Sequence, residues 1–523
     1  MIVGQEQIFL EQIGASFNDP MPRLIYADWL EENGYLESAK LLRNAVAHMT
    51  WKEEIPVPST VEIDEIKALQ EWQERLPIVY GNTWSLENGL PRWHIGSLTP
   101  IEELTESSLA FTFLFWCRQI PYQGASYSDP LNEFCESRFS SSTISLSHWF
   151  SVNPLASVNT MASCQNLSSL RSLDLTSCQI QALDLQMLMQ SPHLQQLTHL
   201  NLTQNRLGNT GMDRLLRSDS FPQLISLDVS NNQIDPGSFR GRFDDPLLNR
   251  LLELNLSNNP LSEMLFAMFF QFGKPLALRS LILSRNKISF VRWETNIKEG
   301  TLPHLRRLDL SDNPNMLLGR EFPNLARLFP KLKRLSLRNT MVSPDFIATL
   351  ARQDAPPTLR QLDLGKSNLH DDHIFQMVQL DYLHQLHQLD LSDNPIEENG
   401  VMAIFTDAFA RLESLSLARI PLQARPIRHL LRSPQFQNLK MLDLSSSLTT
   451  KNGILTFLKQ FEKHNLYSLK LRGNRLNNSI LDPLLNNPAL LTLHHLDLRE
   501  NLFKEDAKQK IRERFQGQVR IEL

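Results

Sequence analysis

The stretch LHQLDLSDN, residues 386–394, decides the fold, because the same pattern recurs over most of the chain. It returns as LTHLNLTQN at 197–205 and as LLELNLSNN at 251–259. Each occurrence opens a repeat, and neighbouring repeats lie 27 residues apart except for one spacing of 26. A repeat this short cannot bury its leucines alone, so we predict that the repeats stack around a shared core. The thirteen opening leucines, position one of each repeat, are residues 170, 197, 224, 251, 278, 305, 332, 359, 386, 412, 439, 466 and 493.

Each repeat changes its periodicity halfway. Leucines two residues apart, such as Leu173 and Leu175, point to one face of a short strand. The second half has helical spacing, as in Met212 and Leu215, and a proline-containing turn such as Pro192 often ends it. We therefore predict an α/β fold in which every repeat is a strand, a turn, a helix and a turn.

The pattern LxxLxLxxN resembles the leucine-rich-repeat family, and the resemblance covers residues 166–503. A 27-residue repeat with a helical second half is similar to the ribonuclease-inhibitor-like subclass. The resemblance implies a horseshoe-shaped solenoid with a parallel sheet on its concave side and helices on its convex side. Such solenoids usually bind protein partners.

Position nine of the repeat is asparagine in most repeats, and in this family its amide satisfies backbone groups at the bend between neighbours. Cys178, Thr340, Ser367 and Ser447 are small polar substitutes, and Ile420 cannot form such hydrogen bonds. We expect this asparagine ladder to be interrupted in the seventh, eighth, tenth and eleventh repeats.

Residues 1–165 differ from the rest in charge and in tryptophan content. They hold 21 acidic and 9 basic side chains, whereas residues 166–523 hold 36 acidic and 43 basic ones. Seven of the eight tryptophans also precede residue 151. The predicted organisation is a small all-α domain at 1–55, an irregular cap with a helix and degenerate repeats at 56–165, thirteen repeats at 166–503 and a C-terminal cap at 504–523.

Within the cap, Ser59 and Glu62 open a predicted helix over 59–76 through a capping box. An alternation of apolar residues over 84–98 indicates a strand, and the segment 144–146 is a candidate strand of a degenerate repeat. A polar helix over 504–515 is predicted to close the C-terminal end of the array.

The run RLIYADWLEE at 23–32 carries a second resemblance. Over about 50 residues the N-terminus is similar to a short domain that accompanies repeat proteins in planctomycete bacteria. This implies a bacterial, intracellular protein and brings no catalytic role. We interpret Arg23 and Asp28 as residues that form ion pairs within this helical domain.

No motif for catalysis or for nucleotide or metal binding is present, so we predict a protein that is not an enzyme and needs no cofactor or metal. A pair drawn from His94, Cys117, Cys135 and His148 is conceivable, but the four cysteines are better interpreted as buried free thiols. The longest apolar run, 109–117, is too short to span a bilayer. Together with an N-terminus that lacks a signal-peptide pattern, this predicts a cytoplasmic protein.

Departures from the aspartate and serine typical of the outward strand positions suggest where a partner binds. Arginines concentrate in repeats five to seven, and basic residues return in repeats twelve and thirteen. We hypothesise a basic concave patch that binds an acidic protein segment, since the arginine fork binds carboxylates through two hydrogen bonds. The alternative is a solvated face that Asp309 and Asp312 neutralise. The candidate residues are Ile282, Arg285, Arg307, Arg334, Arg338, Lys470, Arg472 and Arg499.

The sequence therefore predicts a monomeric, non-catalytic scaffold for protein–protein interaction. The alternative is a bacterial effector or a ubiquitin-ligase-type substrate adaptor whose repeats select a host target. Nucleic-acid binding is not favoured, because the basic residues have no interleaved aromatics and a net charge of +7 over residues 166–523 is dilute. The acidic N-terminal segment, residues 1–165, could also occupy the basic patch of its own chain.

Overall fold

The computed structural model describes parts of residues 9–43, Cys135, four strands between 83 and 147, and most of residues 154–523. Within the last range, the segments outside the description are 243, 263, 266–267, 269–275, 290–301, 319–324, 343–357, 407–408, 449, 463 and 517–518. The predicted helix over 59–76 also lies outside the described residues. The chain divides into two compact units, an N-terminal unit of residues 1–56 and 61–281 and a C-terminal unit of residues 57–60 and 282–523.

The N-terminal unit alternates short strands and helices. β1 pairs with β2 antiparallel, and each strand from β2 to β8 pairs in parallel with the next. The strands are β1 (Thr83–Glu87), β2 (Leu90–Ile95), β3 (Leu114–Cys117), β4 (Ser145–Ser147), β5 (Ser172–Asp174), β6 (His199–Asn201), β7 (Ser226–Asp228) and β8 (Glu253–Asn255); β9 (Ser280–Ile282) contains the boundary between the units. The α-helices are α1 (Pro20–Glu32), α2 (Pro154–Ser163), α3 (Ala182–Gln190), α4 (Gly208–Arg217) and α5 (Pro246–Arg250), and 3₁₀ turns span Gln165–Ser169 and Pro236–Phe239.

The C-terminal unit continues the same alternation. Its sheet strands pair in parallel with their neighbours in chain order, and β11 and β13 form a separate parallel pair. The strands are β10 (Arg307–Asp309), β11 (Leu317–Leu318), β12 (Arg334–Ser336), β13 (Met341–Val342), β14 (Gln361–Asp363), β15 (Gln388–Asp390), β16 (Ser414–Ser416), β17 (Met441–Asp443), β18 (Ser468–Lys470), β19 (His495–Asp497) and β20 (Arg520–Glu522). The α-helices are α6 (Leu325–Leu328), α7 (Asp371–Met377), α8 (Glu398–Ile404), α9 (Ala424–Arg432), α10 (Lys451–Gln460), α11 (Leu481–Leu485) and α12 (Glu505–Phe515), and 3₁₀ turns span Asp381–Gln385, Pro434–Asn438, Asn478–Ile480 and Pro488–Thr492.

The repeated leucines build the core of each unit. In the ninth repeat Leu386, Leu389 and Leu391 are buried, and the middle leucine is in register with its counterparts on the neighbouring strands. Burying each such side chain stabilises the fold by about 2 kcal/mol. The helices contribute the opposite wall, for example through Leu185 and Leu188 of α3. The α/β leucine-rich-repeat architecture predicted from the sequence is confirmed.

A left-handed turn follows the strand in all thirteen repeats. Position eight has a φ between +53 and +67° in every repeat, although only Gly473 is a glycine there. Residues as different as Gln204, Arg285 and Lys366 adopt this conformation, which costs a residue with a β-carbon roughly 1 kcal/mol. The LxxLxLxxN pattern leaves position eight open, so the sequence pattern did not reveal this turn.

The asparagine ladder is formed as expected. Nδ2 of Asn232 donates to the carbonyl of Leu202 at 2.7 Å, and its Oδ1 accepts from the amide of Leu207 at 3.2 Å. Both groups belong to the preceding repeat. The side chain therefore joins two repeats through buried hydrogen bonds.

The predicted interruptions of the ladder are correct for the seventh and tenth repeats and wrong in part for the other two. Thr340 reaches only Leu337 of its own repeat, and Ile420 is buried as an apolar side chain. The hydroxyls of Ser367 and Ser447, however, still donate to carbonyls of the preceding repeat at 2.8 and 2.6 Å. Serine therefore keeps the hydrogen bond that the asparagine Nδ2 donates to a carbonyl of the preceding repeat.

The N-terminal region confirms several local predictions. Helix α1 contains the RLIYADWLEE run and buries Tyr26 and Leu30. Asp28 pairs with Arg43 at 2.7 Å, as predicted, whereas Arg23 is fully buried and its ion pair stays a prediction. The predicted strand over 84–98 is divided into the antiparallel strands β1 and β2, and the candidate strand at 144–146 appears as β4.

Four strands were not anticipated from the sequence: β3, β20 and the two-residue strands β11 and β13. β3 lies in a segment whose residue pattern predicts neither a strand nor a helix, and β20 follows the predicted C-terminal helix, observed as α12. β20 pairs with β19 and so extends the sheet beyond the thirteenth repeat.

Candidate protein-binding surface

Three rows of side chains form the outward face of the sheet, at positions three, five and seven of each repeat. Arg307 and Arg334 stand in the first row, since β10 and β12 pair Arg307 with Arg334 directly. The second row contains Ile282 and Lys470. The third row contains Arg338, Arg472 and Arg499, whereas Arg285 occupies the left-handed turn at position eight. The eight candidate residues therefore do not form one continuous cluster.

The Arg307–Arg334 pair places two like charges side by side. Arg307 is exposed, and its nearest acidic group is Asp309 at 4.0 Å. Arg334 is half-buried, and burial together with the charge of Arg307 lowers the pKa of its guanidinium to about 10. A lowered arginine pKa means that the positive charge is held at an energetic cost, which an incoming anion would reduce.

Arg338 is held within the chain by a different set of contacts. Its guanidinium donates to the Ser392 hydroxyl at 2.7 Å and to Asp393 at 2.5 Å, two repeats further along. It passes over Gly365 of the repeat between them. A β-carbon at this glycine would collide with Nη1 of Arg338 and lie 2.9 Å from its Cζ. Arg419 also binds Asp393, and this hydrogen bond lowers the pKa of the Asp393 carboxyl.

The remaining candidate arginines are neutralised by acidic residues of their own or neighbouring repeats. Arg285 pairs with Asp312 at 3.0 Å, and Arg472 pairs with Glu500. Arg499 pairs with Asp497 and with Glu522, each at 2.8 Å. Lys470 lies in register between Asp443 and Asp497. The geometry thus favours self-neutralisation for these side chains, whereas Arg307 and Arg334 are distinguished by the like charge that each faces on the neighbouring strand.

An acidic pair on the same face was missed by the sequence reasoning. Asp363 and Asp390 are in register on β14 and β15, and burial together with the charge of Asp390 raises the pKa of Asp363 to about 6. Aspartate is common at position five, so nothing distinguishes Asp363 in the sequence. Gly365 is the residue that could have drawn attention to this region, because it stands where serine is common and the Arg338 side chain passes over it.

The described residues contain no group of three or more histidine, cysteine, aspartate or glutamate side chains suited to a metal ion. Cys135, Cys164 and Cys178 are free thiols, and a hydrogen bond with Cys135 lowers the pKa of Cys164. The side chains of His94 and Cys117 and the whole of His148 lie outside the described residues, so the proposed Cys–His pair stays without a structural account. Across the described part of the chain, no helix is long and apolar enough to cross a membrane.

Comparison with known proteins supports the repeat assignment. A family model described as "Leucine Rich repeat" matches residues 166–189, 193–216, 301–314 and 382–405. Curated protein sequences give no match.

Several solved structures are similar to the chain at low identity. The Rad7 and Elc1 complex of yeast has 18% identity over 72% of this chain and 80% of that one, with a TM-score of 0.41. An internalin (inlF) from Listeria monocytogenes has 16% identity over 65% and 93%, with a TM-score of 0.38. The LRR protein LIC12759 of Leptospira interrogans has 21% identity over 73% and 90%, with a TM-score of 0.37. The matched segments fall on the regular 27-residue repeat and its parallel strands, so the family model and the structure agree on leucine-rich repeats in this part of the chain.

Proposed function

We propose that the chain is a non-catalytic scaffold that binds an acidic protein segment on the sheet face of its C-terminal unit. The observation that carries this proposal is the Arg307–Arg334 pair, in which two guanidiniums lie in register on neighbouring strands. A carboxylate at this pair would interact with both charges and offset the burial and the repulsion that lower the pKa of Arg334.

The surroundings of the pair suit a protein partner. Asp309 lies beside Arg307 and is engaged by the Ser311 hydroxyl at 2.6 Å, so the face alternates acidic and basic groups. Such alternation opposes a continuous phosphate backbone and favours a partner with charges at defined positions. A substrate adaptor, the alternative function, would use the same surface.

The experiment is affinity capture with the intact chain and with R307E/R334E. Recovery of the partner should fall at least about tenfold, because two attractive contacts become repulsive. The matched control is R428E/R432E, which makes the same charge change at two exposed positions of α9. Arg338 is left unchanged because its substitution would break the contacts with Ser392 and Asp393.

Equal recovery by R307E/R334E and R428E/R432E would refute the proposed site. Recovery that disappears after nuclease treatment would instead indicate a nucleic acid. A captured ligase subunit would support the adaptor alternative.

We also propose the ribonuclease-inhibitor-like subclass, supported by the 27-residue period and by helices such as α3 and α9 in the second halves of repeats. The planctomycete-type N-terminal domain is supported by the RLIYADWLEE run on α1. A bacterial, cytoplasmic and monomeric state is part of the same proposal.

A further inference from the structure

A second candidate site lies on the edge of the C-terminal unit, away from the outward rows of the sheet. It is a groove of about 730 Å³ formed by the residues that precede the strands of repeats nine to thirteen. This volume falls within the usual range of ligand pockets, about 300–1,000 Å³. The groove requires no residue of the Arg307–Arg334 pair and goes beyond the function proposed above.

The repeat pattern explains the two walls of the groove. One wall is position two of five successive repeats, and the other is the residue just before each opening leucine. Leu466 lies between the walls. The first wall consists of His387, Glu413, Lys440, Tyr467 and His494, and the second of Arg411, Asn438, Asn465 and Thr492.

The second wall is braced by hydrogen bonds between repeats. Nδ2 of Asn438 donates to the carbonyl of Ala410 at 2.9 Å, and Nδ2 of Asn465 donates to that of Gln437 at 2.7 Å. Each bond joins one repeat to the one before it. The amide oxygens of both side chains make no hydrogen bond within the described structure, so they can accept from a ligand backbone.

Charge is concentrated towards one end of the groove. Arg411 is exposed. The pKa of nearby Arg360 is lowered by the burial of Arg360 and, to a smaller extent, by the charge of Arg411. Glu413 and Lys440 pair at 3.0 Å in the middle and neutralise each other. The end near Arg411 therefore attracts a carboxylate.

The other end offers an aromatic platform. The rings of Tyr467 and His494 lie 4.8 Å apart, with Tyr467 half-buried and His494 exposed. His464, which also lines the groove, is fixed, since its Nε2 donates to the Ala489 carbonyl at 3.0 Å and its Nδ1 accepts from the Leu466 amide at 3.1 Å. A planar side chain would stack on such a surface.

We propose that this groove binds an extended acidic peptide, with a carboxylate at Arg411 and an aromatic side chain at Tyr467 and His494. The two ends are two repeats apart, about 10 Å at roughly 4.8 Å per strand, which corresponds to about three residues of extended chain. A single strand of nucleic acid fits less well, because Glu413 stands in the middle of the path that its phosphates would follow.

The test is fluorescence anisotropy with the full chain and a fluorescein-labelled hexapeptide bearing glutamate at position two and tryptophan at position five. The wild-type chain should bind it, and R411E or Y467A should weaken binding at least about fivefold. Replacing the peptide glutamate with lysine, or its tryptophan with alanine, should have a comparable effect.

Two control variants establish that the hexapeptide binds in the groove. R432E removes an exposed arginine outside the groove, and R307E/R334E alters the sheet face; both should bind the hexapeptide within about twofold of wild type. Circular dichroism verifies folding, and R411Q replaces R411E if the reversal unfolds the chain. The proposal is overturned if the hexapeptide does not bind, if R411E behaves like R432E, or if a labelled ten-nucleotide oligothymidylate binds more tightly than the peptide.

Discussion

The asparagine at position nine shows how one side chain couples neighbouring repeats. Asn232 is fully buried and bonds a carbonyl and an amide of the preceding repeat. The backbone amide of Asn232 donates to Oδ1 of Asn259 at 2.9 Å, so successive asparagines form a chain of hydrogen bonds. Loss of one side chain leaves buried backbone groups without partners in two repeats.

We expect N232A to lower the free energy of unfolding by about 2–3 kcal/mol, because the groups it abandons are buried. N232S should cost less, since the hydroxyl of Ser367 keeps the contact with the preceding repeat. Urea denaturation measures both, and N249A, at an exposed position of α5, is the control. Equal stability of N232A and N249A would contradict this role.

Asp363 makes stability depend on pH. Burial and the charge of Asp390 raise its pKa to about 6, so the folded state binds a proton more tightly than the unfolded chain. Its contribution to stability is complete below the unfolded pKa, about 4, and is lost as the pH rises through about 6. Neutralising this side chain should remove that loss.

The variant D363N should therefore be more stable than wild type at pH 7.5, by up to about 3 kcal/mol, and nearly equal to it at pH 4. Asparagine retains an oxygen for the amide of Gly365, which donates to Asp363 at 2.9 Å. Thermal unfolding at the two pH values tests this. A difference that does not change between pH 4 and pH 7.5 would show that Asp363 is not the titrating group.

At the scale of elements, Arg338 ties three repeats together. It leaves the end of β12, crosses Gly365 after β14 and binds Ser392 and Asp393 after β15. The crossing requires a residue without a side chain in the middle repeat. This arrangement explains why glycine stands where the other repeats often have serine or threonine.

We expect G365A to displace the Arg338 guanidinium and to destabilise the C-terminal unit by about 1.5 kcal/mol, the lower end of the usual range for a hydrogen bond to a charged group. R338A should cost a similar amount. If both substitutions disrupt the same contact, the double variant G365A/R338A should lose no more stability than either single variant in thermal denaturation. Fully additive losses of stability would show that the two residues act independently.

The elements differ in how far the sequence predicts them. The strands of the thirteen repeats follow from the leucine spacing, because only one register buries every leucine on the same side. The ion pairs do not follow from it: Arg338 and Asp393 are 55 residues apart, and their contact depends on the path over Gly365. The predicted basic patch included Arg307 and Arg334, which lie in register, together with arginines whose charges nearby acids neutralise.

At the scale of the whole molecule, the described part of each unit is held together by contacts between successive repeats. Within the described part of the C-terminal unit, the sheet strands from β10 to β20 bond their immediate neighbours in chain order. The last helix, α12, buries Ala507, Ile511 and Phe515. In such an array a local defect destabilises adjacent repeats more than distant ones.

We therefore expect I511D to increase hydrogen exchange at β18 and β19 while leaving β14 and β15 protected. The buried carboxylate would detach α12, and β20 with it, since β20 bonds only β19 within the described sheet. K510D changes an exposed neighbour on the same helix and should leave exchange unchanged throughout. If I511D raised exchange equally from β10 to β19, the C-terminal unit would unfold as one cooperative block rather than repeat by repeat.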